Sequence, residues 1–247
     1  VRSSAIFLLV SFCFSQLTAQ VRAHGAIVRM DTTQRDIHLV FTGHEYAEGA
    51  DTILAVLKSQ DVRASFFFTG DFLRNPQFAP AIRRLVMEGH YVGPHSDRHL
   101  LYCTWEDRDS LLVPREEFIA DLEANYRELE RFGIMRSAAS VFLPPYEWYN
   151  DSIASWSRQM SLTLVNFTPG TSSNADYTRP GIDPRYVPSD TILQRILRHE
   201  QVSSNGLDGF ILPLHIGAGP HRPDPFHRSL DLLLTELKAR GYRFRRF

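Results

Sequence analysis

Apolar residues fall into short dense runs, separated by stretches where they recur every three or four positions. The first run, IHLVFT at 37–42, has the length of a strand buried on both faces. Residues 50–59 then set Ile53, Leu54 and Leu57 on one helical face. ASFFFT at 64–69 predicts a second strand, 80–88 a helix stopped by Gly89, and 90–94 a strand running into HSDRH. An amphipathic helix is predicted over 115–132 and stopped by Gly133. Further strands are predicted at 141–143, 162–167, 209–215 and 242–247, and helices at 151–160, 189–199 and 225–240.

The alternation of strand and helix predicts a mainly parallel sheet covered by helices. No Pro-, Gly- or Ser-rich linker divides the chain, so 24–247 reads as one domain. The long irregular stretch 168–188 reads as a surface loop. About seven strands either close into a barrel or form an open doubly wound sheet, and both place ligands beyond the C-terminal strand ends.

Composition narrows the partners. With 43% apolar residues over 247 positions the chain can build a sizeable core. A formal net charge of −1 gives no basic footprint, so nucleic acid is not an expected partner, and a neutral polymer such as a polysaccharide fits. Arg2, the apolar run 5–14, and small residues at Ala19 and Ala23 have the layout of a secretory signal over 1–23. The expected location is therefore secreted or periplasmic. The apolar run is too short for stable membrane insertion. Cys13 lies in that signal, which leaves Cys103 without an intrachain partner, as a small buried hydrophobe.

The polar residues at the strand ends carry the chemistry. They are His44 and Glu45 after the first strand, Asp71 after the second, His95 and His99 after the third, Tyr146 and Glu147 after the fourth, and His215 after the late strand. His95 and His99, four apart, share one face of a helical turn, a spacing that lets two imidazoles hold one cation. Tyr146, Trp148, Tyr149 and Trp105 form an aromatic set with flat faces for sugar rings or for packing.

These segments resemble one family. GPHSDRH resembles the His-Ser/Thr-x-x-His motif of the polysaccharide deacetylases (NodB-homology family, carbohydrate esterase family 4). FLPPYEW resembles the family's Arg-x-Pro-Tyr motif, ILPLH and GYRF its fifth motif and terminal strand, and VRASFFFTG its second strand. The resemblance implies a distorted (β/α)7-type barrel and one divalent metal ion, usually zinc, held by two histidines and an aspartate. It implies His95 and His99 as metal ligands, His215 as general acid, and a backbone N–H near Tyr146 as oxyanion donor. The implied substrate is an acetylated polysaccharide, N- or O-acetyl.

The first motif departs from the family. Thr-Phe-Asp-Asp-Gly is matched here by Val40-Phe41-Thr42-Gly43-His44, without either aspartate. Leu143 replaces the third-motif arginine, and 166–169 lack the fourth-motif Asp-Trp. Arginine and aspartate have gone together, so no unpaired buried charge is left behind. One expectation is a rebuilt site, with His44 as third metal ligand and Glu45 as base, Glu45 and Asp71 being alternatives for either role. The other is a non-catalytic carbohydrate-binding protein on a degenerate site. A hydrolase of another carbon–nitrogen bond is a third.

Overall fold

The computed structural model describes residues 20–247. Most of the expected signal, 1–19, lies outside the described residues. Residues 20–23 do not stand apart from the domain: β1 (Val21–Ala23) forms an antiparallel hairpin with β2 (Ala26–Arg29).

The alternating elements close into a barrel. β3 (Asp36–Gly43), β4 (Ser65–Phe68), β5 (Tyr91–Pro94) and β8 (Phe210–His215) form a parallel sheet in the order β5-β4-β3-β8. β6 (Val141–Phe142) and β7 (Thr163–Leu164) are a parallel pair set beside β5, where the Leu143 N–H donates to the Pro94 carbonyl at 3.5 Å. The gap between β7 and β8 is closed by β2. Ile27 bridges Val165 in parallel, and the Met30 N–H donates to the Gly209 carbonyl at 2.7 Å.

Side chains alternate across these strands as pleating requires. Ile27, Val40, Phe67, Tyr91, Leu143, Val165 and Ile211, one from each stave or its end, fill the barrel interior. Phe66 and Phe68 on β4, and Leu39 and Phe41 on β3, point outward into a second apolar layer. The apolar stripes of α1 (Ala50–Ser59), α4 (Arg115–Glu130) and α7 (Leu230–Ala239) cover that layer with Leu54, Leu122 and Leu233 among others. The short α2 (Gly70–Arg74), α3 (Ala79–Met87), α5 (Asp151–Gln159) and α6 (Ser189–Val202) complete the outer ring.

Two expectations change. The terminal strand β9 (Arg243–Arg245) is no stave. It pairs with the start of β3, and Phe247 packs against the interior cluster from below. Stretch 168–188 is more than a surface loop. It buries Thr171, Ser173, Asp176 and Thr178 and walls one side of the barrel mouth. Among the described residues, no helix is long and apolar enough to cross a membrane.

Candidate active site

A cleft of about 1500 Å³ opens where the parallel strands end. His44, Glu45, His95, His99, Tyr146, Glu147 and His215 all line it, so the strand-end residues singled out in the sequence meet in one place. Asp71 does not line it. Its carboxylate, in the first turn of α2, is held by Arg74 at 2.7 Å, and Arg74 also binds Asp97 at 2.7 Å. That ion pair removes Asp71 from the candidate ligands and bases.

Three imidazoles form one side of the cleft. The His44 and His99 rings stack at 4.5 Å with 13° between planes, and His95 lies 5.2 Å from His99. His95 Nδ1 lies 2.7 Å from the Leu143 carbonyl, a contact only Nδ1–H can make, so Nε2 carries the lone pair. His44 Nδ1 sits 3.1 Å from the Thr69 hydroxyl. Burial, reinforced by the neighbouring imidazoles, drives His99 down to about 2. His95 falls to about 3 by burial, offset in part by the Leu143 carbonyl. Both are neutral near pH 7, the form that ligates metals.

The segment carrying these histidines is fixed from behind. Ser96 and His99 have left-handed backbones, φ 70° and 55°. The Asp121 carboxylate, buried on α4, accepts from Ser96 Oγ at 2.6 Å and from the N–H groups of Asp97 and Arg98 at 2.8 and 3.1 Å. Asn125, one turn on, accepts from the His95 N–H at 3.0 Å and donates to the Phe68 carbonyl at 3.1 Å. The sequence carried a signal for this pair: both polar residues sit in the stripe shared by Phe118, Leu122, Tyr126 and Leu129. Gly70 is needed in the same place, because a Cβ there would lie 1.8 Å from Asp97 Oδ1.

The donor chemistry fits a divalent metal: three contacting imidazoles, of which His95 already has its second nitrogen anchored. The Thr42 hydroxyl lines the same cleft and has no hydrogen-bond partner. Among the described residues, no three His, Cys, Asp or Glu side chains converge on one point as arranged, since His44 lies flat against His99.

His215 stands opposite. Its Nδ1 is 2.6 Å from Asp176 Oδ1, and its N–H donates to Asp176 Oδ2 at 2.8 Å. Burial pulls the imidazole pKa down. The Asp176 carboxylate more than offsets that, helped by Glu147, and the pKa ends above its ordinary value. Asp176 escaped the sequence reading because it lies in irregular chain, where periodicity gives no position. Its loop is clasped by Arg222, whose buried guanidinium donates to the carbonyls of Thr178 at 2.6 Å and Val187 at 2.9 Å. Tyr177, beside Asp176, lies 4.7 Å from the His215 ring.

Tyr146 and Glu147 join the two sides. Both have left-handed backbones, φ 57° and 52°, a geometry that costs roughly 1–3 kcal/mol per residue without glycine. The Tyr146 ring contacts His99 at 4.4 Å and Trp105 at 5.8 Å. Glu147 is desolvated, which raises its carboxyl above the ordinary value. His215 and Asn174 pull it back in part, and Asp176 pushes it up. Glu45, by contrast, is exposed at the rim. Trp148 donates Nε1–H to the Thr104 carbonyl at 3.0 Å and carries Arg108 3.5 Å above its ring. Tyr149 is buried and donates to the Ala23 carbonyl, so of the aromatic set only Trp105 and Tyr146 are well exposed.

The chain thus has the frame of a carbohydrate esterase barrel. A pseudoenzyme of the CE4 family from Bacillus anthracis has this fold at a TM-score of 0.69 and 21% identity, covering 90% of this chain and 67% of that one. The Bc1960 peptidoglycan N-acetylglucosamine deacetylase superposes at a TM-score of 0.71 and 21% identity, covering 91% of each chain. The family follows from sequence: residues 29–165 match the polysaccharide deacetylases, and the chain belongs to that family. A peptidoglycan-N-acetylglucosamine deacetylase of Bacillus cereus is 24% identical over 211 residues, 85% of this chain and 66% of that protein. The chain therefore spans just under two thirds of that relative's length.

Proposed function

We propose that the protein is an exported, metal-dependent hydrolase that removes acetyl groups from a polysaccharide. The observation that carries this is the His215–Asp176 pair and the three imidazoles of His44, His95 and His99 lining one cleft. A protonated imidazole held by a buried carboxylate is a proton donor to a leaving nitrogen or oxygen. His44, His95 and His99 would hold the metal ion, with zinc the expected occupant for nitrogen donors. Such an ion, when bound, supplies Lewis acidity and an acidified water.

The remaining work falls to this chain's own groups. The Tyr146 N–H, in the turn after β6, is the donor for the developing oxyanion. A carboxylate of the cleft, Glu45 or Glu147, takes the proton of the attacking water. Trp105 and Tyr146 offer exposed faces to sugar rings. Export fits cleavage after Ala19, which leaves the β1–β2 hairpin whole, whereas cleavage after Ala23 would remove β1.

The test is acetate release from a panel of N- and O-acetylated polysaccharides, including peptidoglycan and xylan, by zinc-loaded protein. Release from any member supports the reading, and none from the whole panel sinks it. A second reading, sugar binding without turnover, is favoured by Thr42 and Gly43 standing where the family has carboxylates, and by the likeness to a pseudoenzyme. It predicts binding by calorimetry with no acetate produced.

A further inference from the structure

We infer that Glu147 is the catalytic base of this site, replacing a carboxylate of the first motif by one from the turn after β6. The inference rests on the deacetylase reading above. Two acidic residues line the cleft among the described residues, Glu45 and Glu147. Glu45 is exposed at the rim, whereas Glu147 is half-buried and lines the cleft together with His215 and Asn174.

No salt bridge of the fold accounts for a carboxylate at this position among the described residues. Among the described residues no Lys or Arg forms an ion pair with Glu147; burial raises its carboxyl, and His215 is the charged group that offsets this. Its backbone occupies the region that favours glycine, directly after Tyr146 in the same region. The turn is pinned on both sides: the Glu147 N–H donates to the Pro144 carbonyl at 3.2 Å, and Asn166 Nδ2 donates to the Glu147 carbonyl at 2.9 Å. The fold thus holds a strained residue in place, in the same cleft that His215 lines. Strain maintained in a cleft in this way marks a functional position.

The Glu147 carboxylate takes one proton from water as the water oxygen bonds to the acetyl carbon. The carbonyl π pair moves to its oxygen. As that pair returns, the bond from the acetyl carbon to the sugar nitrogen or oxygen breaks, and its electrons leave with the sugar atom. The His215 imidazolium gives that atom its proton. The products are acetic acid and the free amine or hydroxyl. Proton transfer from Glu147 to His215, both of which line the cleft, restores both groups.

The experiment compares parent, E147Q, E147G and E45Q, all loaded with zinc. E147Q is expected to keep bound zinc and KM while kcat falls on the order of 10²–10⁴-fold. E147G is expected to lose activity equally while its thermal midpoint holds or rises, because glycine relaxes the turn. A kcat for E147Q within about threefold of parent overturns the assignment, and so does a larger loss in E45Q than in E147Q. Loss of zinc from E147Q makes Glu147 a ligand, and a lowered midpoint in E147G makes it structural; either overturns the base role. A parent that releases no acetate from any substrate fails the deacetylase reading itself, and the role of Glu147 with it.

Discussion

The His215 imidazole and the Asp176 carboxylate lie 2.6 Å apart, although 39 positions separate them in the chain. The pair sets the sign of the pH response. The folded-state pKa of His215 is raised, so the stability it contributes is complete below the ordinary value of 6.5. That contribution is lost as pH rises through the folded value, and the proton available for the leaving group is lost with it. D176N should move the alkaline limb of the kcat profile to lower pH and reduce kcat about 10²-fold. An unmoved limb would separate His215 from the proton donor.

Metal content gives the second prediction. Protein prepared with zinc and dialysed should retain near-stoichiometric metal by elemental mass spectrometry, and H95A/H99A should retain none. Equal zinc in both would place the ion away from these rings.

Asp121 supports the histidine segment without touching the cleft contents. D121A leaves the Ser96 hydroxyl and two N–H groups without their acceptor. Stability should fall by about 3 kcal/mol in urea unfolding. Zinc affinity should weaken about 10–100-fold, as loss of an orienting partner does elsewhere. A variant unchanged in both would show that the loop holds itself.

Gly43 bears on whether the first motif can be restored. A Cβ at this position would meet Phe68 and Phe72 ring atoms at 2.8 Å and the Ile216 side chain at 3.0 Å. G43D should therefore destabilise the fold by about 1–3 kcal/mol or more and bring no gain in acetate release. A stable, more active G43D would mean the old position is still open.

Trp105 tests the sugar contact. Its side chain is 53% exposed, so W105A should alter stability by less than about 0.5 kcal/mol. KM should rise several-fold with kcat kept, the pattern of lost uniform binding. An unchanged KM would assign the indole to the fold alone.

Much of the frame was legible in the chain. IHLVFT and ASFFFT are the staves β3 and β4, and the stripe from Phe118 to Leu129 is the covering face of α4. Hydrophobic period reports such elements because each buries a continuous face. The strand expected at 242–247 formed as β9, but hydrogen bonding sets Arg243–Arg245 beside the entry of β3 rather than in the barrel wall, a placement local pattern does not carry. β2 went unseen because the closing of a barrel seam is a long-range relation that no local pattern encodes. In the site, His44, His95, His99 and His215 could be read as polar residues ending apolar runs. Asp176 could not, because a carboxylate in irregular chain becomes significant only when folding brings it to His215. Glu147 was visible as a strand-end residue, but its left-handed backbone was not.

The tight packing around Gly43 also limits redesign. With Phe68, Phe72 and Ile216 closed over that position, a side chain there needs a second change to reopen the space. A carboxylate is therefore placed at this mouth more cheaply from the turn after β6 than from the end of β3, and the strand wall acts as a steric lock on the first motif.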